Sequence, residues 1–228
     1  MPPTGEPLAI AVLCHGTPSG YPDEPGDRGY PGFAEAIAAH GFEVWWFNFR
    51  GARDSEGVFT FEGWVRDLLG VLAEIPKGSL PLYVAGASAG GGVALTAAAR
   101  SSGIDGVATL ASPATWEKAE EDMLAEARRT GAIPPGYPID PDEWWKEFFD
   151  NQPIHQVPAL RGRPILIIHG EEDRAVDPVH AEQLLGAAKE PKRLVIVKGA
   201  GHQLRRNQVV IDALVTWFTD CAARKSGG

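Results

Sequence analysis

The chain has 228 residues, 44% hydrophobic and 22% charged, which is the length and balance of one globular domain, with no low-complexity tract or fixed-period repeat and no disorder expected except at the ends. Its formal net charge of −9, with lysines and arginines scattered along the chain, argues against nucleic acid, which wants a basic face for counterion release. Residues 1–7 lack the basic and apolar parts of a secretion signal and no stretch is long enough to span a bilayer, so a soluble, cytoplasmic protein is expected.

In chain order the pattern predicts strand 8–14, helix 31–40, strand 43–49, helix 61–75, strand 82–86, helix 88–100 and strand 106–110. It resumes with strand 164–169, helix 179–189, strand 193–198 and helix 207–223. Most of these strands are apolar throughout, as strands buried on both faces must be, and the intervening helices supply the covers. The expectation is one α/β domain over 1–228: a mainly parallel sheet of about six strands with helices on both faces. The segment 112–158 breaks the alternation. It holds acidic helical stretches at 117–129 and 142–150 around a proline-rich 133–141, and reads as a small helical cap insertion. Its rings Trp116, Trp144, Trp145, Phe148 and Phe149 suggest a cap over a substrate pocket, or glue holding the insertion to the core. Of the two cysteines, Cys14 closes an apolar run and Cys221 lies in the last helix. Neither has a partner at metal or redox spacing, so Cys14 reads as a small buried hydrophobe and no disulfide is implied.

In open α/β sheets ligands bind beyond the carboxyl ends of the strands. There the chain carries His15-Gly16-Thr17-Pro18, Ser88, Asp173 and His202. Ser88 follows an apolar strand inside Gly86-Ala87-Ser88-Ala89-Gly90 and opens a helix, where small neighbours give a strained nucleophile room. The helix N-terminus lets the Ala89 backbone N–H face a developing oxyanion. A phosphate-binding loop would need Gly-x-Gly-x-x-Gly or Gly-Lys-Ser/Thr, and neither is present. Serine needs a base, itself oriented by a carboxylate. His202 follows the last strand through Gly199-Ala200-Gly201 and is the candidate. His40, His155 and His180 read as surface residues, and His169 as packing beneath the acid loop. After strand 164–169 come Glu171, Glu172, Asp173 and Asp177. Asp173 is assigned the orienting role, Asp177 is held in reserve as a helix cap, and the glutamates form a solvated loop face. The second oxyanion donor is assigned to the Thr17 N–H, since Pro18 has none.

Four motifs in order, His15-Gly16-Thr17, Asn48-Phe49-Arg50-Gly51 through Ser55-Glu56-Gly57, Gly86 to Gly90, and His169-Gly170-Glu171-Glu172-Asp173 with Gly199-Ala200-Gly201-His202, resemble the α/β-hydrolase superfamily, in its small bacterial esterase and serine-aminopeptidase-like branch. The resemblance implies a Ser88, Asp173 and His202 triad. It departs from the family pattern Asp-x-Arg-Gly-x-Gly-x-Ser-x-Gly at Asn48 and at Arg53, whose charged side chain either approaches the site or supports the cap. The chain also starts almost at its first buried strand, so the antiparallel hairpin that often opens this fold is expected to be absent.

The expected activity is acyl transfer without a cofactor or metal, declining as His202 takes up a proton. Tryptophan in the cap suggests a carboxylic ester of modest size with an apolar or aromatic part. Thioester, peptide or amide, and carbon–carbon bond hydrolysis run on the same scaffold, and a non-catalytic binding protein is the different-class alternative. A peptidase would need an anchor for a substrate terminus; the Glu120-Glu121-Asp122 run offers one but reads more simply as a solvated helix face. No pattern sets an oligomeric state.

Overall fold

The apolar runs form six strands: β1 (Ile10–Cys14), β2 (Glu43–Trp46), β3 (Leu82–Ala87), β4 (Gly106–Leu110), β5 (Ile165–Gly170) and β6 (Lys192–Val197). The structure is a computed structural model that describes residues 5–18, 26–76, 78, 80–117 and 121–226. All neighbouring strands pair in parallel, in the order β2-β1-β3-β4-β5-β6. The chain steps to one side of β1 for β2 and to the other for β3. This reversal of strand order leaves a crevice at the carboxyl ends of β1 and β3.

Burial follows position in the sheet. β1, β4 and β5 are buried along their whole length, whereas the edge strand β6 is mostly part-exposed, buries only Val197 and leaves Ile196 exposed. Because successive side chains point to opposite faces, each central strand feeds two cores. Val12, Cys14 and Val84 meet α2 (Phe61–Glu74), α3 (Ala89–Arg100) and α7 (Val179–Ala187). Ala11, Leu13 and Tyr83 meet α1 (Gly29–Ala38) and α8 (Gln208–Ser226) on the other face. No helix among the described residues is long and apolar enough to cross a membrane.

β2 ends three residues before the predicted limit. The Phe49 N–H donates to His15 Nε2 at 3.0 Å and the Arg50 N–H to Asp67 Oδ2 at 2.9 Å, so side chains take the backbone donors that a longer strand would have given to the sheet.

Between β4 and β5 the described chain is helical: α4 (Glu121–Arg129), α5 (Pro141–Asp150), α6 (Pro153–Gln156) and a 3₁₀ turn (Val157–Leu160). Residues 118–120, within the first predicted helical stretch, lie outside the described residues. α5 starts where its sequence says it should. Asp140 Oδ1 accepts from the Asp142 N–H at 2.9 Å, and Pro141 sits in the first turn, where its missing N–H costs nothing. The aromatic face of α5 turns inward. Trp144, Trp145 and Phe148 are at most 5% exposed, Phe148 packs on Phe59 and Phe61, and Trp144 Nε1 donates to the Phe59 carbonyl at 2.9 Å. Arg100 and Asn151 both bind Glu62, tying the segment polar-side to α2 and α3.

Candidate active site

Ser88 sits between β3 and α3 with φ 51° and ψ −126°. A non-glycine residue held there costs about 1–3 kcal/mol. The turn is pinned on both sides: the Ser88 N–H donates to the Leu110 carbonyl at 2.8 Å and the Gly91 N–H donates to the Ser88 carbonyl at 2.9 Å. Close approach explains its glycines. A Cβ on Gly86 would lie 2.2 Å from the Gly90 carbonyl oxygen, and one on Gly90 2.3 Å from that of His15. Strand, helix and the loop after β1 are thereby brought into backbone contact beside the serine. Ala89 opens α3, and Thr17 lines the same cavity as Ser88.

The loops after β5 and β6 dock as closely. Positions where Gly170 would carry a Cβ lie 2.4 Å from the Ala200 and Gly201 carbonyl oxygens, and the Glu172 N–H donates to the Ala200 carbonyl at 2.9 Å. This brings His202 Nδ1 to 2.8 Å from Asp173 Oδ2. The Asp173 side chain is fully buried and the imidazole 30% exposed. Burial pushes the carboxyl's pKa up, but hydrogen bonds from His169, His202 and the Val176 N–H, with the His202 charge, outweigh it and hold it below the usual carboxylate range. An ionised carboxylate only accepts, so Nδ1–H is the donor to Asp173 and Nε2 is the ring nitrogen left free of that bond. His202 and Ser88 line one cavity. Among the described residues no hydrogen bond joins them.

Two further histidines brace these loops. His169 is fully buried beneath the acid loop. Its Nε2 donates to the Val176 carbonyl at 2.9 Å and lies 3.2 Å from Asp173 Oδ2. His15 Nδ1 donates to the Gly16 carbonyl at 2.6 Å while Nε2 accepts from Phe49, which fixes a neutral tautomer. Burial, helped by the nearby Arg53 charge and opposed by the Gly16 bond, lowers its pKa to about 4. His15 therefore holds the loop that carries Thr17 and transfers no proton. Cys14 is buried and its thiol is pushed far up by desolvation, which removes it as a nucleophile.

Other predicted residues fall elsewhere. Trp116, Trp144, Trp145 and Phe148, expected at the substrate, are absent from the wall of the 840 Å³ cavity beside Ser88 and lie in the core under α2 and α3. Rings packed edge-on or tilted against Phe59 and Phe61 bury more apolar surface than a water-facing wall allows. The segment reaches the cavity instead through Arg129 and Thr130. Asp177 is exposed and its Oδ1 accepts from the Val179 N–H at 2.9 Å, capping α7. Glu171 and Glu172 are exposed, as expected of a loop face, and Glu171 Oε2 in addition accepts from the Gly199 N–H at 2.9 Å and clasps the loop that carries His202. Glu120 lies outside the described residues, as do the side chains of Glu121 and Asp122. Asn48 and Arg53 both line the cavity, which answers the open question about Arg53 in favour of the site. Sequence reasoning missed Tyr30, Asp27 and Arg205 in the wall, because contacts between loops this far apart leave no local pattern.

A parallel sheet with this strand order, a serine on a left-handed strand-to-helix turn and a late histidine on a buried aspartate define an α/β-hydrolase. The chain belongs to that superfamily: the family described as serine aminopeptidase, S33, matches residues 5–144, and the prolyl oligopeptidase family matches residues 79–225. Two uncharacterised proteins of Mycobacterium tuberculosis are 37% identical over 76 residues, which is 32% of this chain and 27% of theirs. Among solved structures, the monoacylglycerol lipase of Paleococcus ferrophilus superposes with TM-score 0.70 at 21% identity, covering 95% of this chain and 96% of its own. Est1E from Butyrivibrio proteoclasticus superposes with TM-score 0.67 at 19% identity, covering 96% and 90%. At these identities the likeness is one of fold.

Proposed function

We propose that the protein is a serine hydrolase that cleaves small carboxylic esters. The observation that carries the reading is that His202, which lines the cavity that also holds the left-handed Ser88, is hydrogen-bonded at 2.8 Å to a buried, ionised Asp173. His202 Nε2 takes the Ser88 proton as the oxygen attacks the ester carbonyl, and the Thr17 and Ala89 backbone N–H groups stabilise the oxyanion. The same imidazole returns its proton to the departing alcohol. Water, deprotonated by His202, then attacks the acyl-serine, and Ser88 recovers its proton as the carboxylic acid leaves. These steps call for no cofactor.

The aromatic face of α5 packs on the core and not over the cavity, so those rings give no ground for an apolar or aromatic substrate part. Amide cleavage is the second reading, favoured by family descriptions that name an aminopeptidase and an oligopeptidase.

A fluorophosphonate probe tests the class: it should label the native protein at Ser88 and leave Ser88→Ala unlabelled. Folded protein that neither reacts nor hydrolyses any of a short p-nitrophenyl ester series would favour a non-catalytic binding protein. Rates on esters, thioesters and aminoacyl amides then rank the chemistries.

A further inference from the structure

The wall beside Ser88 is charged where the sequence suggested rings. Four arginines line it, Arg28, Arg53, Arg129 and Arg205, against Asp27 and Asp54, in a chain whose formal net charge is −9. Three of the arginines are engaged: Arg28 by Glu35, Arg129 by Glu126 and Arg205 by Asp27. Arg53 is different. Among the described residues its exposed guanidinium has neither an ion pair nor a hydrogen bond. Its charge nevertheless reaches His15 and Tyr30, which stand in the same wall, and lowers the proton affinity of both. The backbone under it is held at φ 52°, a conformation that favours glycine and persists with a large side chain only where the surroundings enforce it.

We propose that Arg53 anchors a free carboxylate on the substrate, so that the preferred ester carries an acid group a few bonds from the scissile carbonyl. The proposal rests on the serine-hydrolase reading and adds its substrate class. A guanidinium presents a planar fork that matches a carboxylate, and inside a cleft it acts on a substrate that displaces part of the intervening water. The rest of this acidic surface repels anions, and of the four wall arginines Arg53 is the one that no carboxylate neutralises through an ion pair among the described residues. Asp54, beside it in the chain and in the wall, opposes the effect.

The test compares kcat/KM for p-nitrophenyl valerate and mono-p-nitrophenyl glutarate, acyl chains of equal length that differ by a terminal carboxylate. The native protein should favour the glutarate by about tenfold at low salt, with the preference shrinking in about 1 M salt as the charges are screened. Arg53→Asn, a residue that tolerates a left-handed backbone, should bring the ratio close to one through KM for the glutarate, while Arg53→Lys keeps part of it and Asp54→Asn raises it. A native ratio at or below one, a ratio insensitive to salt, or a ratio unmoved by Arg53→Asn would each overturn the anchor. If Arg53→Asn does not fold, the native ratio and its salt dependence decide alone. Valerate turnover without any preference sinks the anchor and leaves the hydrolase reading standing. Absence of turnover on both esters together with no labelling of Ser88 overturns both.

Discussion

Asp173 accepts on both oxygens: Oδ1 from the Ala175 and Val176 N–H groups at 2.9 and 3.0 Å, Oδ2 from His202 and His169. An amide in its place can offer only one acceptor oxygen, so Asp173→Asn turns an NH₂ group either onto two backbone N–H groups or onto the imidazole N–H. The second arrangement forces His202 into the tautomer with its proton on Nε2, where it cannot act as a base. We expect kcat on a p-nitrophenyl ester to fall by about 10⁴ with KM little changed, measured on protein whose circular dichroism matches the native. A loss confined to KM would contradict the orienting role. His15 is the opposite case, a histidine in the wall whose two nitrogens are both committed to backbone partners.

Elements meet at the site through absent side chains. Gly90→Ala would place a Cβ 2.3 Å from the His15 carbonyl oxygen, a backbone atom that cannot swing aside, so α3 and the loop after β1 must separate. The expected result is a stability loss of about 1–3 kcal/mol, read from denaturant unfolding, with kcat falling more than KM because the Thr17 donor moves with that loop. On α5, Phe148 is fully buried among Phe59, Phe61, Trp116, Trp144 and Trp145. Phe148→Ala should cost about 3–5 kcal/mol and lower Tm while leaving the shape of the cavity wall intact. A raised KM for short esters at unchanged stability would return that ring to the substrate.

At the scale of the whole molecule, acid is the stress that the ion pairs resist. Asp27, Glu62 and Asp173 all sit below the ordinary carboxylate range. At Asp27 burial acts upward and is outweighed by the Gly29 N–H and Arg205; at Glu62 the Arg100 hydrogen bond is the largest influence and, with the Arg100 charge and Asn151, outweighs burial; at Asp173 burial is outweighed by its histidines and the Val176 N–H. A depressed pKa contributes stability that is complete above the unfolded value, about 4 for carboxylates, and is lost as pH falls from there through the folded values. Tm should therefore be flat with respect to these groups between about pH 5 and 7 and drop below about pH 4, and a thermal-melt series against pH measures it. Asp173→Asn should fall less steeply over that acid range than the native protein does.

Much of this molecule is written in local pattern. Apolar runs such as 164–169, too short for helices and bounded by glycine and proline, identify the sheet, and the order of Ser88, Asp173 and His202 at strand ends picks out the candidate site, because backbone periodicity and turn chemistry act over a few residues. The lining of the cavity was not legible in this way. Whether Trp144 faces substrate or core, whether Arg53 reaches the site and which arginines are already paired depend on segments tens of residues apart meeting in space. Local spacing states that α5 has an aromatic face; only the tertiary structure decides what that face meets, since burial against Phe59 and Phe61 competes with exposure in a polar cleft and wins on buried apolar area.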